Sequence, residues 1–460
     1  MTKFQKFTIC ISGGQRGLTK APTCTDFFSL PSAKLGSLIV PFSYLSKRFY
    51  LTSVLPKVGY VAHPALDYAP KGKDKFILEN FYDWFRGFTD AEGCFIITHL
   101  RDKFWRFSFE MKLHIDDVKV LMFIQNTLGI GKVYKSKTSC RFIVSKQSEV
   151  KKLIEIFTNY SLNSSKRLNF HTWVKAFNLY IEGSDNSAEE IFNKVEVLKA
   201  EMNTKRTDWT SNHKINITPY WLLGFVEGDG SWSVNKQNLL LSFSIAQSYK
   251  DLKLMEAIKN YLNNLSIDFD DVVNLGFYKS KTDNKSDMIN LNVTKTEFIS
   301  QVLVPFFQKM VWVSKKEIDF IDWVSILKLK ELGLHHSKEG VLMIDRLLNQ
   351  MNNNRLSTGI RLKVDRDLLL RDLKVMLESD SNYEPNAEGK IVIKSSGKLL
   401  KKGIPIRVLI LDGKGNNLKE LESINACGTY LGISHDTVRV RLNDGKPIKF
   451  NSMLVYVKKK

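Results

Sequence analysis

Between residues 80 and 309 the spacing of apolar positions changes period in the same order twice. Three-and-four spacing predicts a helix over about 80–92, and alternation then predicts a hairpin over 94–115. A helix over 116–128, alternation over 132–145 and a helix over 147–159 complete the pattern. The order returns over about 218–229, 231–247, 250–264, 270–294 and 296–309. Asp117–Leu128 superposes on Asp251–Leu262 at an offset of 134 residues, and Lys166–Trp173 on Lys316–Trp323 at an offset of 150. A period this far above the length of one element identifies a duplicated unit, and the growing offset puts extra length in the second copy's strands.

Outside the repeats the pattern weakens. A connector rich in asparagine and serine follows Trp323, including Met351–Thr358 and Ser381–Pro385. From about Lys402 a small unit predicts a strand over Pro405–Leu411 and two short helices separated by Gly432, the second capped by Ser434. Residues 1–50 hold seven basic residues and a single acid, Asp26, among many hydroxyl side chains. That composition fits a mitochondrial transit segment, and Ser46–Leu51 has the form of a processing site; an ordinary ragged N-terminus stands as the alternative. The segments expected are therefore 1–70 as leader, 71–185 and 210–330 as the two repeats, 331–400 as connector and 401–460 as an appended module.

Composition narrows the partner. The formal net charge of +20 calls for a polyanion, and 43% hydrophobic residues place that charge on a folded chain rather than a disordered tail. No apolar run is long enough to span a bilayer, so a membrane partner is not expected. Five scattered cysteines exclude a disulfide framework and a cysteine-rich zinc site.

Each repeat opens on one nonamer pattern, Phe85–Gly93 and Leu222–Gly230. Small residues four apart, Gly87 with Ala91 and Gly224 with Gly228, fall on one helical face and allow two backbones to approach. Gly93 and Gly230 are expected to end the helices in the left-handed conformation. Glu92 and Asp229 stand in the last turn, where the helix dipole disfavours a carboxylate. Packing the small faces together brings these two acids side by side, and such a pair needs a cation; oxygen ligands beside phosphate suit Mg²⁺.

These paired nonamers closely resemble those of the LAGLIDADG homing endonucleases and related intron maturases, in their single-chain, two-motif form, over about Phe81–Trp323. The resemblance implies an α+β fold of two pseudo-symmetric αββαββα halves, a monomer with an internal pseudo-two-fold axis, and a saddle-shaped sheet gripping double-stranded DNA. It implies site-specific double-strand cleavage at a long, partly asymmetric target with Mg²⁺ or another divalent cation such as Mn²⁺. Carried over position by position, it makes Glu92 and Asp229 the metal ligands, sets Lys166 and Lys316 near the cleaved phosphates, and gives Gln247 the role of ordering water near the metal. The first repeat has Leu113 where the second has Gln247, so the half-sites are expected to differ. Asp90 and Glu227 are expected to be structural.

DNA contacts are expected from the hairpin tips, at Arg101, Lys103, Trp105 and Arg106 in the first repeat and Asn235, Lys236, Gln237 and Asn238 in the second. The C-terminal unit resembles the nuclease-associated modular DNA-binding repeats, with a helix-turn-helix offering Arg439 and Arg441. The mitochondrial matrix and a host intron complete the expectation. Two other classes stay open: a maturase that binds intron RNA to assist splicing, and a regulator-like DNA binder that uses only the C-terminal unit.

Overall fold

The computed structural model describes residues 74–460 apart from 102–103, 184–186, 210–211, 281–285, 359–364, 388–389, 401–406, 422 and 452, with side chains from Asn80 onward. The expected leader over 1–70 and Lys103 lie outside the described residues. Helix α1 (Asp74–Glu92) runs directly into strand β1 (Gly93–His99), followed by β2 (Trp105–His114), α2 (Val118–Leu128), β3 (Lys132–Lys135), β4 (Ser139–Val144), α3 (Gln147–Asn159), α4 (Lys166–Glu182) and α5 (Ala188–Ala200). The second copy repeats the order. It comprises α6 (Pro219–Asp229), β5 (Gly230–Val234), β6 (Leu241–Ser248), α7 (Leu252–Asn263), β7 (Val273–Tyr278), β8 (Met288–Val293), α8 (Thr296–Phe298) and α9 (Val304–Gln308) joined by a π-turn, and α10 (Lys316–Glu331). Both sheets are antiparallel, ordered β1-β2-β4-β3 and β5-β6-β8-β7, as the αββαββα expectation requires.

Alternation along the strands divides each sheet into two faces. One face buries Phe95, Phe109 and Phe142 under α3 and α4, where Phe109 meets Phe157 at 5.8 Å and Phe95 meets Trp173 at 5.4 Å. The second sheet buries Trp232 and Phe243 in the same way, with Trp232 against Trp323 at 4.9 Å and Phe243 against Phe307 at 5.9 Å. Each such aromatic contributes about 2–3 kcal/mol by leaving water. The opposite face of each sheet is left open by these helices.

The duplication extends further than the hydrophobic pattern indicates. After α5, Met202 is buried and Asn203 takes a left-handed φ of 54°; after α11 (Lys338–Leu348), Met351 is buried and Asn352 takes the same φ. Asn203 Nδ2 donates to Phe95 O at 3.0 Å and Asn352 Nδ2 to Trp232 O at 3.1 Å. Arg206 Nε donates to Asn169 Oδ1 at 3.1 Å, while Arg355 grips Asp319 through two bonds of 3.0 and 2.9 Å. The described residues of the expected connector are therefore packed on the second half. It holds α11, α12 (Arg366–Leu377) and a small sheet of β9 (Tyr383–Pro385), β10 (Ile391–Ile393) and β11 (Lys398–Leu399), with Arg366 paired bidentately to the fully buried Asp322 at 2.7 Å.

The C-terminal residues form β12 (Val408–Leu411), β13 (Asn417–Leu421), α13 (Ile424–Leu431), α14 (His435–Asp444), β14 (Ile448–Phe450) and β15 (Met453–Lys459) around their own small core of Val408, Ile410, Cys427, Val438 and Val455. Gly432 turns between the two helices at φ 69°, and Ser434 Oγ accepts from Thr437 N at 3.1 Å to start α14. Among the described residues no helix is long and apolar enough to cross a membrane.

Candidate active site at the crossing of the motif helices

Helices α1 and α6 touch backbone to backbone. A Cβ on Gly87 would lie 2.1 Å from Trp221 O, one on Gly224 2.1 Å from Trp84 O, and one on Gly228 2.3 Å from the Ala91 Cβ. Only hydrogen fits at these glycines. The position a Cβ of Gly228 would take is also 3.2 Å from Glu92 Cγ, so the crossing sets Glu92 beside the residue that precedes Asp229. The two acids thus stand at neighbouring helix ends. Gly93 and Gly230 do not serve as left-handed terminators, contrary to expectation. Gly230 is extended at φ −73°, and Gly93 opens β1; a Cβ at either would press within 2.6 Å of the preceding turn, at Thr89 or Val226. Glycine is needed because the helix passes straight into a strand.

Asp90 and Glu227, two residues before these acids, form the lock beneath. Asp90 accepts from Asn163 N at 2.9 Å, Ser164 N at 2.9 Å, Ser164 Oγ at 2.6 Å and, across the helix pair, Trp221 Nε1 at 2.8 Å. Glu227 mirrors it, accepting from Val313 N at 2.8 Å, Ser314 N at 2.6 Å, Ser314 Oγ at 3.0 Å and Trp84 Nε1. Burial raises the Asp90 carboxyl and pushes Glu227 up to about 7 from 4.5, against the pull of those donors. A carboxyl raised on folding stabilises most below its unfolded value, and the contribution is lost as pH rises through the folded one. Stability should therefore fall between pH 5 and 8 by up to about 3 kcal/mol from Glu227. Thermal unfolding across that range should show a shallower fall in Glu227→Gln; parallel profiles would contradict this.

The lysines reach the same helix ends. Lys166 Nζ donates to Ala91 O at 2.6 Å and to Thr89 O at 3.3 Å, and Lys316 Nζ donates to Gly230 O at 2.9 Å. Positive charge on terminal carbonyls offsets the negative helix ends, which is how the acids there are tolerated. Each lysine begins a helix whose preceding residue is held by an acid from the other half. Asp251 takes Ser165 N at 2.6 Å and Ser165 Oγ at 3.0 Å, and Asp117 takes Lys315 N at 3.4 Å. The sequence offered a signal for this pair, since Asp117 and Asp251 head the matched blocks, but a role across the halves is visible only in the fold. Gln247 Nε2 donates to Asp229 Oδ2 at 2.7 Å, whereas Leu113 packs against the core, so the expected inequivalence is present in the geometry.

The hairpin residues divide. Arg101 and Arg106 are exposed, but Trp105 is 4% exposed, stacked on Phe192 at 5.1 Å with Lys199 Nζ 5.0 Å from its ring centroid, and is a core residue rather than a DNA contact. Asn235 and Asn238 accept from Gln237 N and Leu240 N and so shape their own turn. Lys236 pairs with Asp345 on α11 at 3.2 Å, and Gln237 is exposed. In α14, Arg439 and Arg441 pair with Asp436 at 3.1 Å and Asp444 at 2.6 Å.

Two carboxylates are too few to enclose a cation, and among the described residues no third histidine, cysteine or acid joins them. Such a donor set fits Mg²⁺ or Mn²⁺, which keep water and take one or two carboxylates together with phosphate oxygens.

A chain with two such helices at its centre, each leading into an antiparallel sheet, has the architecture of one class of DNA-cutting protein. Over residues 85–177 and 222–327 the chain matches the LAGLIDADG endonuclease family. It is 26% identical over 358 residues to the "Uncharacterized mitochondrial protein RF1" of Saccharomyces cerevisiae, covering 74% of this chain and 72% of that protein. It is 29% identical over 197 residues to the "Probable intron-encoded endonuclease Cox1-I1b" of Schizosaccharomyces pombe, covering 41% of this chain and 51% of that one. The chain spans about half the length of that relative. Among solved structures, the LAGLIDADG homing endonuclease I-GzeII in complex with its DNA target is similar at 26% identity and a TM-score of 0.53, over 59% of this chain and 99% of that one.

Proposed function

We propose that the chain is a site-specific homing endonuclease that hydrolyses both strands of double-stranded DNA at a long, partly asymmetric target, acting as a monomer. The observation that supports this is the contact of α1 and α6 through Gly87, Gly224 and Gly228, at the helix ends that carry Glu92 and Asp229. Glu92 and Asp229 would hold divalent cations, and a bound cation supplies an activated water and stabilises charge on the scissile phosphate. Gln247 fixes the Asp229 carboxylate, and Lys166 and Lys316 hold positive charge over the helix ends toward which the phosphates would come. The open sheet faces would lie in the major groove, with Arg439 and Arg441 of the C-terminal unit adding contacts along a longer site. A mitochondrial location and an association with an intron are supported by the names of the relatives.

Incubating the full chain with a random-sequence DNA library and Mg²⁺ should enrich ends from one sequence cut on both strands, and EDTA should abolish the cutting. A library that yields no enriched cut site in Mg²⁺ or Mn²⁺ would remove the proposal.

A further inference from the structure

The open faces of the two sheets correspond rung by rung, yet their chemistry differs. In the first sheet Glu110 pairs with Ile143, which faces Lys132, and Lys112 pairs with Arg141. Arg106 projects from the same side of β2, and all these charged residues are outside the core. In the second sheet one rung runs Ser231, Ser244, Asn292 and Asn274 across all four strands, and the next runs Ala246, Asn290 and Gly276. By the strand registers, Glu110 stands where Ser244 does, Lys112 where Ala246 does, Arg141 where Asn290 does and Lys132 where Asn274 does. Strands β5 to β8 contain no charged residue at all.

The chemistry of the bases turns this contrast into a difference in reading. Arginine and lysine donate to the N7 and O6 acceptors of guanine, and glutamate accepts from cytosine N4. Asparagine matches the acceptor-donor pair of adenine, and serine hydroxyls bond either way. Cations also meet phosphates, releasing counterions and making affinity dependent on salt. Resting on the endonuclease reading above, we propose that the halves divide recognition. The first sheet reads a half-site rich in G·C pairs through Arg106, Glu110, Lys112 and Arg141 and supplies most of the salt-dependent affinity. The second sheet reads adenine-containing positions through Asn274, Asn290 and Asn292, with little salt dependence of its own.

The test is selection of bound sequences from a random double-stranded DNA library by the full chain, with Ca²⁺ replacing Mg²⁺, repeated for Arg141→Gln and for Asn290→Ala/Asn292→Ala. The parent should enrich one G·C-rich half-site joined to one rich in adenine. Arg141→Gln should relax guanine preference about tenfold at one position of the first half-site only and lower the slope of log affinity against log salt by about one. The asparagine variant should relax adenine preference in the other half and leave that slope unchanged. Guanine preference equal in both halves, or an Arg141→Gln variant that weakens all sequences alike, would overturn the division while leaving the endonuclease reading in place. Failure to enrich any sequence would overturn both.

Discussion

Glu92→Gln and Asp229→Asn, made singly, should each bind the selected target within about threefold of the parent and cut at least one strand about a thousandfold more slowly or not at all. Each change keeps the shape of the side chain, so the helix crossing and the sheets stay as they are, and only the negative charge that holds a cation is lost. For Asp229 the amide can still meet Gln247, which keeps the local packing. Strand-resolved single-turnover cleavage of a doubly labelled duplex separates the two steps. Full cutting of both strands by either variant would remove these residues from the chemistry.

The largest effect on stability should come from Gly224→Ala. The added carbon would sit 2.1 Å from Trp84 O; one atom is fixed directly to a helix backbone and the other is part of one, so neither can turn aside. The helices must part, and with them go the tryptophan bonds that cross between them to Asp90 and Glu227. A loss of about 3 kcal/mol follows from overpacking at such a contact. That corresponds to a fall in Tm of the order of 10 °C for the repeat region. Gly413→Ala, where an added carbon meets nothing within 4 Å, serves as the control. Equal melting of the two variants would mean that the helices do not meet as described.

Much of this arrangement is legible in the sequence, because the features that build it are periodic or duplicated. Small residues spaced by four foretold the helix crossing, and two acids against the helix dipole marked its end. Other features are invisible to spacing. The role of Gly93 and Gly230 depends on a helix passing directly into a strand, which a pattern of apolar positions does not distinguish from a left-handed cap. Trp105 lies at a hairpin that looks exposed, and α5, a helix with few strongly periodic positions, covers it through Phe192. The spacing does not single out the asparagines at 203 and 352; each takes a left-handed turn that ties a helix back to a strand carbonyl. The pairing of Asp251 with Ser165 requires knowing that the second half reaches across to the first.

The central claim is that one helix crossing presents both Glu92 and Asp229 to divalent cations at the DNA. Anomalous diffraction from crystals of the full chain with its selected target and Mn²⁺ tests this most directly. The account predicts manganese bonded to the carboxylates of Glu92 and Asp229 and to phosphate oxygens of the DNA. Manganese bound at other side chains, with these two acids making no bond to it, would contradict the account.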